Sequence, residues 1–207
     1  MTMPDFTLVD FRHRAWQAQR DIPETVTGEF HFNPDLEDLI RKGALREAAV
    51  LIGILEGKTG PSVLLTERTA KLRSNSGQIA FPGGRVDDTD RTYAEAALRE
   101  CEEEVGIGGE HLEVVGEMPV YFTGSGYRIH PVLAVISDVY DLRANEDEVA
   151  SIFDVPLSFL MDDRNHKKSS REWQGKRRFF YEMPYEDRYI WGVTAGILRV
   201  MFERLYR

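Results

Sequence analysis

Cysteine is almost absent. The 207-residue chain holds one, Cys101, so it cannot form an internal disulfide. Long apolar runs are missing too: none approaches the roughly 20 residues that span a bilayer, which argues against a membrane-embedded helix. The opening stretch, MTMPDFTLVDFRHRAW, lacks the apolar core of a signal peptide, so a cytoplasmic location is the expectation. Positive charge is in deficit, with 26 Lys and Arg against 35 Asp and Glu and a net charge of -9. That balance argues against bulk binding of nucleic acid or anionic membranes. It leaves open a small anionic substrate, because a bound cation inverts the potential locally. Repeats, low-complexity tracts and long linkers are also missing. What is present is 42% hydrophobic content, ordinary for a chain with a real core, at a length that suits one domain plus a terminal extension.

Residues 1–47 read as a charged helical extension packed on the domain, with helices over 6–20 and 34–42. They carry no chemical motif, and packing or dimer contacts suit them; monomer and homodimer both stay open. Residues 48–207 read as the domain itself. Apolar β-rich runs at 48–55 and 62–66 flank the hairpin connection EGKTG, and the first run is continuous enough to be a central, buried strand. Two more strands are expected at 112–121 and 129–136. Residues 189–206 read as a short strand and then a helix, with Ala195, Leu198, Phe202 and Leu205 at helical spacing. Strands alternating with helices point to an α/β fold.

The chemistry concentrates in residues 81–107, FPGGRVDDTDRTYAEAALRECEEEVGI. A glycine loop feeds a helix that starts near Thr92, which has capping-box spacing with Glu95, and stops at Gly106. Ala94, Ala97, Leu98, Cys101 and Val105 make its apolar face, so Cys101 reads as packing and not as a nucleophile. Glu100, Glu103 and Glu104 share another face. Like charges so close repel by a few tenths of a kcal/mol per contact. A hard divalent cation, Mg²⁺ or Mn²⁺, resolves the conflict. Arg99 is placed to fix the direction of one of these carboxylates. A run such as Glu102-Glu103-Glu104 taken alone is as well explained by a solvated acidic face.

The Gly83-Gly84 pair and the run from Arg99 to Ile107 together resemble the Nudix hydrolase signature, whose tail is Arg-Glu-apolar-x-Glu-Glu-x-Gly-apolar. The resemblance implies an α/β/α sandwich with a central mixed sheet. It also implies metal at Glu100, Glu103 and Glu104, and at the carbonyl of the first loop glycine, Gly83. One departure stands out. The signature's other glutamate falls on Asp90 when counted from Gly84 and on Arg91 when counted back from Arg99. The loop is one residue longer than the common form, and any role for that position is in doubt.

Residues 64–84, LLTERTAKLRSNSGQIAFPGG, resemble the motif that marks the coenzyme A pyrophosphatase branch of the same superfamily, with Thr69 where serine is usual. Arg68, Lys71 and Arg73 form a cationic cluster within it. Guanidinium groups suit phosphate oxygens, so Arg68 and Arg73 are substrate-binding candidates, as is Phe81. A solvated basic loop is the alternative. In the Gly-rich stretch 122–128, Tyr127 is placed to stack on adenine or line a pantetheine channel, or else to pack on the sheet edge. His130, before a proline at a strand start, reads as structural. Residues 145–157 resemble the Nudix segment that follows the sheet, and the resemblance implies an acid there that faces the metals, with Glu148 the first candidate and Glu146 the second; such an acid could orient or deprotonate water, and a solvated turn competes. Residues 164–178 hold seven basic side chains against one acid after Asp163, and read as a hairpin tip with 178–183 returning. That loop suits an anionic substrate, a partner, or solvent.

The resemblance implies hydrolysis of the diphosphate in coenzyme A or its thioesters. A Nudix enzyme for ADP-ribose or a dinucleotide, and a non-catalytic ligand-sensing module, are the alternatives.

Overall fold

Residues 48–55 are small or apolar without a break, so both faces of the strand can be covered by helices. The fold is built outward from this strand. In the computed structural model, which describes residues 6–20, 27–71, 76–137, 141–173 and 175–207, the chain begins with α1 (Leu8–Gln19), β1 (Thr27–Gly28), α2 (Asp35–Lys42) and β2 (Arg46–Gly57). It continues through β3 (Gly60–Arg68), β4 (Ile79–Ala80), β5 (Gly83–Arg85), α3 (Tyr93–Val105), β6 (Leu112–Glu117), β7 (Tyr121–Phe122) and β8 (Tyr127–Ile136). It ends with β9 (Val149–Pro156), α4 (Leu157–Leu160), β10 (Lys167–Trp173), β11 (Lys176–Tyr185), β12 (Arg188–Trp191) and α5 (Val193–Leu205).

β2 is central, as its unbroken apolar run implied. It pairs in parallel with β8 on one edge, and antiparallel with β5 and β3 on the other. The sheet runs β1-β7-β8-β2-β3-β4, with β6 on β8 and β9 on β3, so it is mixed. The period-2 alternation sorts its side chains. Ala49 and Leu51 of β2, with Val132, Ala134 and Ile136 of β8, share one core with Ala97, Cys101 and Val105 of α3. Ile52, Ile54, Leu133 and Val135 point the other way, into a core with Phe11 and Ala15 of α1 and Leu198, Met201 and Leu205 of α5. Each fully buried Leu or Ile contributes about 1.5–3 kcal/mol, and both faces need a helix to collect it. The result is the expected α/β/α sandwich. A second sheet, β10-β11-β12, is an antiparallel meander anchored to the main core through Met183 and Ile190.

One expected strand is broken. The run 112–121 divides into β6 and β7, because Pro119 has no N–H to offer the ladder; Met118 keeps a single hydrogen bond to the Pro131 carbonyl at 2.9 Å. No helix among the described residues is long and apolar enough to cross a membrane.

Cys101 is fully buried, and burial pushes its thiol up to about 12, with Glu104 and Glu102 adding to the shift. Native protein at pH 8 is therefore expected to resist iodoacetamide and to take up one label in urea. Rapid native labelling would show that the α3 face opens to solvent.

Candidate active site

The caps of α3 set its phase. The Thr92 hydroxyl accepts the Glu95 N–H at 3.1 Å, and Gly106, in the left-handed region at φ 75°, donates to the Glu102 carbonyl at 3.0 Å. With the ends fixed, Glu100, Glu103 and Glu104 fall at i, i+3 and i+4. They reach different depths. Glu103 is 56% exposed and Glu100 mostly buried, and both accept from Nη1 of Arg99, at 3.1 and 3.0 Å. Glu104 is 2% exposed. Its Oε2 accepts the Gly83 N–H at 3.2 Å, and its Oε1 lies 3.4 Å from Nη1 of Arg68.

Arg99 is the organiser. Its Nε and Nη2 donate to the two carboxylate oxygens of Asp90 at 3.1 and 3.0 Å, and Nη2 also reaches the Arg85 carbonyl at 3.0 Å. Asp90 is 5% exposed, and the Arg99 hydrogen bond holds its carboxyl below the usual range. The Asp87 N–H donates to it at 2.8 Å. The loop that is one residue too long thus ends in a side chain one methylene shorter than glutamate, which sits squarely on Arg99. Counting along the chain put this position in doubt; the fold gives it a partner.

Burial dominates the electrostatics. It pushes the Glu104 carboxyl up to about 7; the Gly83 N–H and Arg68 pull it down, while Glu100 and Glu148 repel it. Glu100 is raised by burial and by Glu103 and Glu148, against the opposing pull of Arg99. Among the described residues, no three His, Cys, Asp or Glu side chains close into a cage able to hold a metal. What they do make is buried negative charge in excess of its cationic partners, on oxygen donors alone. That chemistry fits a hard divalent ion.

The two loop glycines are explained by close approach. A Cβ on Gly83 would meet the Ala49 carbonyl oxygen and stand 2.7 Å from Val50 Cα, and one on Gly84 would stand 2.5 Å from the Glu100 carboxylate. Gly83 pairs with Val50 in the β2–β5 ladder, which brings the loop over β2 and against α3.

Gly83, Gly84, Arg99, Glu100 and Glu103 border a cavity of about 750 Å³, while Glu104 and Asp90 are not among its lining residues. Of the residues singled out in the sequence, Glu100, Glu103, Glu148, Arg99, Arg68, Phe81, Gly83 and Tyr127 all line it. Phe81 is nonetheless mainly a core residue, and the Tyr127 ring is covered by the Arg46 guanidinium at 3.9 Å. Glu146 is exposed and does not border the cavity. Lys71 is 71% exposed, 4.0 Å from Asp147. Arg73 lies outside the described residues. His130 is structural in setting: its Nε2 is 2.8 Å from Glu47, and its ring stacks on Tyr93. The opposite wall of the cavity comes from the basic hairpin, through Arg171, Trp173, Arg178 and Phe180, with Trp191 beside them. A second cavity of about 480 Å³, between α5, β1 and β11, shares Glu29, Phe179, Phe180 and Gly192 with the first and holds none of the sequence-predicted residues.

The family model described as NUDIX domain matches residues 44–174. The chain is 42% identical over 154 residues to proteins named Uncharacterized Nudix hydrolase NudL from Shigella boydii and Escherichia coli, over 74% of this chain and 80% of theirs. Among solved structures it is similar to an Ap4A hydrolase binary complex from C. elegans (TM-score 0.47, 22% identity, 53% of this chain, 80% of that one). It is also similar to the NUDIX domain of Shewanella oneidensis NrtR complexed with ADP ribose (TM-score 0.44, 17% identity, 57% and 77%). The family match over most of the chain, together with relatives of this identity and coverage, shows that the chain belongs to the Nudix hydrolases, a family of pyrophosphohydrolases.

Proposed function

We propose that this protein is a cytoplasmic hydrolase of the diphosphate in coenzyme A or its thioesters, releasing 3′,5′-ADP and (acyl-)phosphopantetheine. One observation carries the reading: the stretch resembling the coenzyme A motif supplies Arg68, Phe81 and Gly83 to the same cavity that receives Glu100, Glu103 and Glu148. Nudix hydrolases generally use divalent ions such as Mg²⁺ or Mn²⁺. Glu100, Glu103 and Glu104, with the Gly83 carbonyl, would hold such an ion. When bound, it would neutralise charge on the diphosphate and lower the pKa of the attacking water.

The chain's own groups do the rest. Arg68 offers its guanidinium to phosphate oxygens at the cavity wall. Glu148 orients the water and takes its proton as the oxygen attacks phosphorus and the bridging P–O bond breaks. The displaced phosphate leaves as an anion, so no covalent enzyme intermediate is required. Arg99 holds Glu100 and Glu103 at a fixed separation while Asp90 fixes Arg99.

Product masses after incubation of coenzyme A with Mg²⁺ or Mn²⁺ test the proposal. Faster turnover of ADP-ribose than of coenzyme A would sink it. Arg99→Lys keeps the charge but loses the fork that spans Asp90 and the two glutamates. It is expected to lower kcat/KM for coenzyme A by about tenfold or more, with the fold retained. Activity within twofold of the wild type would remove Arg99 from its positioning role.

A further inference from the structure

Strand pairing puts an unusual set of side chains on one face of the second sheet. Arg171 stands directly opposite Arg178, and Trp173 opposite Lys176. Phe180 lies two residues on from Arg178, and Trp191 pairs with Glu182 on the same side. Arg171, Trp173, Arg178, Phe180 and Trp191 therefore share a face, and all five border the cavity that holds the acidic cluster. Two arginines directly opposite each other across a strand pair destabilise the sheet unless something anionic lies between or above them.

The protein's own carboxylates answer only part of that charge. Arg178 donates to Asp35 at 2.6 Å, and Asp35 also takes Lys176 at 2.8 Å. Half-buried Glu29 feels both Arg178 and Arg171, while its Oε2 is occupied by the Gly124 N–H at 2.6 Å. Arg171 makes no ion pair among the described residues; its guanidinium lies 4.0 Å over the Trp191 ring. Nε of Arg178 is buried without a hydrogen-bond partner among them. Trp173 is half exposed beside these cations. Unmatched guanidinium donors next to a free aromatic face are the recognition chemistry of a phosphorylated nucleoside.

We propose that this wall is the specificity site for the 3′-phosphoadenosine end of the substrate. Arg171 and Arg178 take the ribose 3′-phosphate, and Trp173 stacks on the base. The assignment rests on the coenzyme A reading, which supplies a substrate with two separate anionic centres. The diphosphate lies at the acidic cluster, and the monophosphate lies at the opposite wall.

The test is binding, so that it does not depend on turnover. Affinities of the metal-free, full-length protein for 3′,5′-ADP and for 5′-AMP are compared by calorimetry and tryptophan quenching. The wild type is expected to prefer 3′,5′-ADP by about tenfold or more, the range of a charge-assisted hydrogen bond pair. Arg171→Ala should bring that ratio below about threefold, with Arg171→Lys between the two. Trp173→Ala should weaken both nucleotides. Arg171 and Trp173 are exposed, so these variants keep the fold, which circular dichroism checks. Equal affinities in the wild type, or an unchanged ratio in Arg171→Ala, would overturn the assignment. Preference for 3′,5′-ADP without cleavage of coenzyme A would instead overturn the hydrolysis reading and leave this wall standing.

Discussion

Glu104→Gln is expected to lower kcat on coenzyme A by about 10²–10³-fold, the usual cost of removing one electrostatic contact to developing charge, while making the metal-free protein more stable. The two effects share a cause. Glu104 is the deepest of the three α3 carboxylates, held by one backbone N–H and a long contact to Arg68. Burial raises its pKa from the ordinary 4.5 to about 7. Between those values the folded protein binds a proton that the unfolded chain has already released. Stability therefore falls as pH rises from 4.5 to 7, and the whole cost is in place above that. Glutamine fills the same space without charge. At pH 8, Tm of the metal-free variant should rise by roughly 2–4 °C for each kcal/mol recovered, and at pH 4.5 the gain should vanish. Thermal scans at the two pH values, beside steady-state kinetics, check both halves. Near-normal turnover, or a variant less stable at pH 8, would mean that Glu104 is a structural acid satisfied by Arg68.

The adjacent glycines should fail in opposite ways. Gly83→Ala drives a methyl group into backbone, against the Ala49 carbonyl and Val50 Cα. Backbone in a central ladder cannot give way, so β5 must lift from β2, at an expected cost of about 2–4 kcal/mol. Gly84→Ala meets only the tip of the Glu100 side chain. A flexible carboxylate can swing aside, so stability should change by less than about 1 kcal/mol. The displaced Glu100 would lose its Arg99 contact, and turnover should drop by about tenfold or more. Urea midpoints and kcat for the two variants separate the cases. An active Gly84→Ala would release Glu100 from any part in the chemistry, and a stable Gly83→Ala would show that the β2–β5 ladder is not tight.

Local rules were legible in the sequence wherever a single element decides the outcome. Thr92 and Gly106 marked both ends of α3, and the unbroken run at 48–55 marked the central strand. Reading failed where geometry absorbs a change in spacing. Asp90 looks like a lost glutamate because one loop residue shifts the count, yet this shorter side chain on a longer loop reaches the Arg99 guanidinium. Reading also failed where pairing between separate strands decides. Arg171 and Arg178 were visible as members of a basic hairpin, but only the register puts both on the cavity face with Trp191. The alternation Arg-x-Trp and Arg-x-Phe was the available clue; it needed the turn position to become a prediction. The 112–121 run reads as one strand because Pro119 sits inside an otherwise favourable pattern, and a proline counts for more in a ladder than its neighbours' propensities.

The segment that matches the family, residues 44–174, omits α1 and α5, and these two helices supply Phe11, Ala15, Leu198, Met201 and Leu205 to one of the two cores. A fragment trimmed to the matched span for expression would present Ile52, Ile54, Leu133 and Val135 to water as an uncovered sticky plane. Such a fragment is expected to aggregate, and keeping that plane covered takes the chain from Leu8 through Leu205.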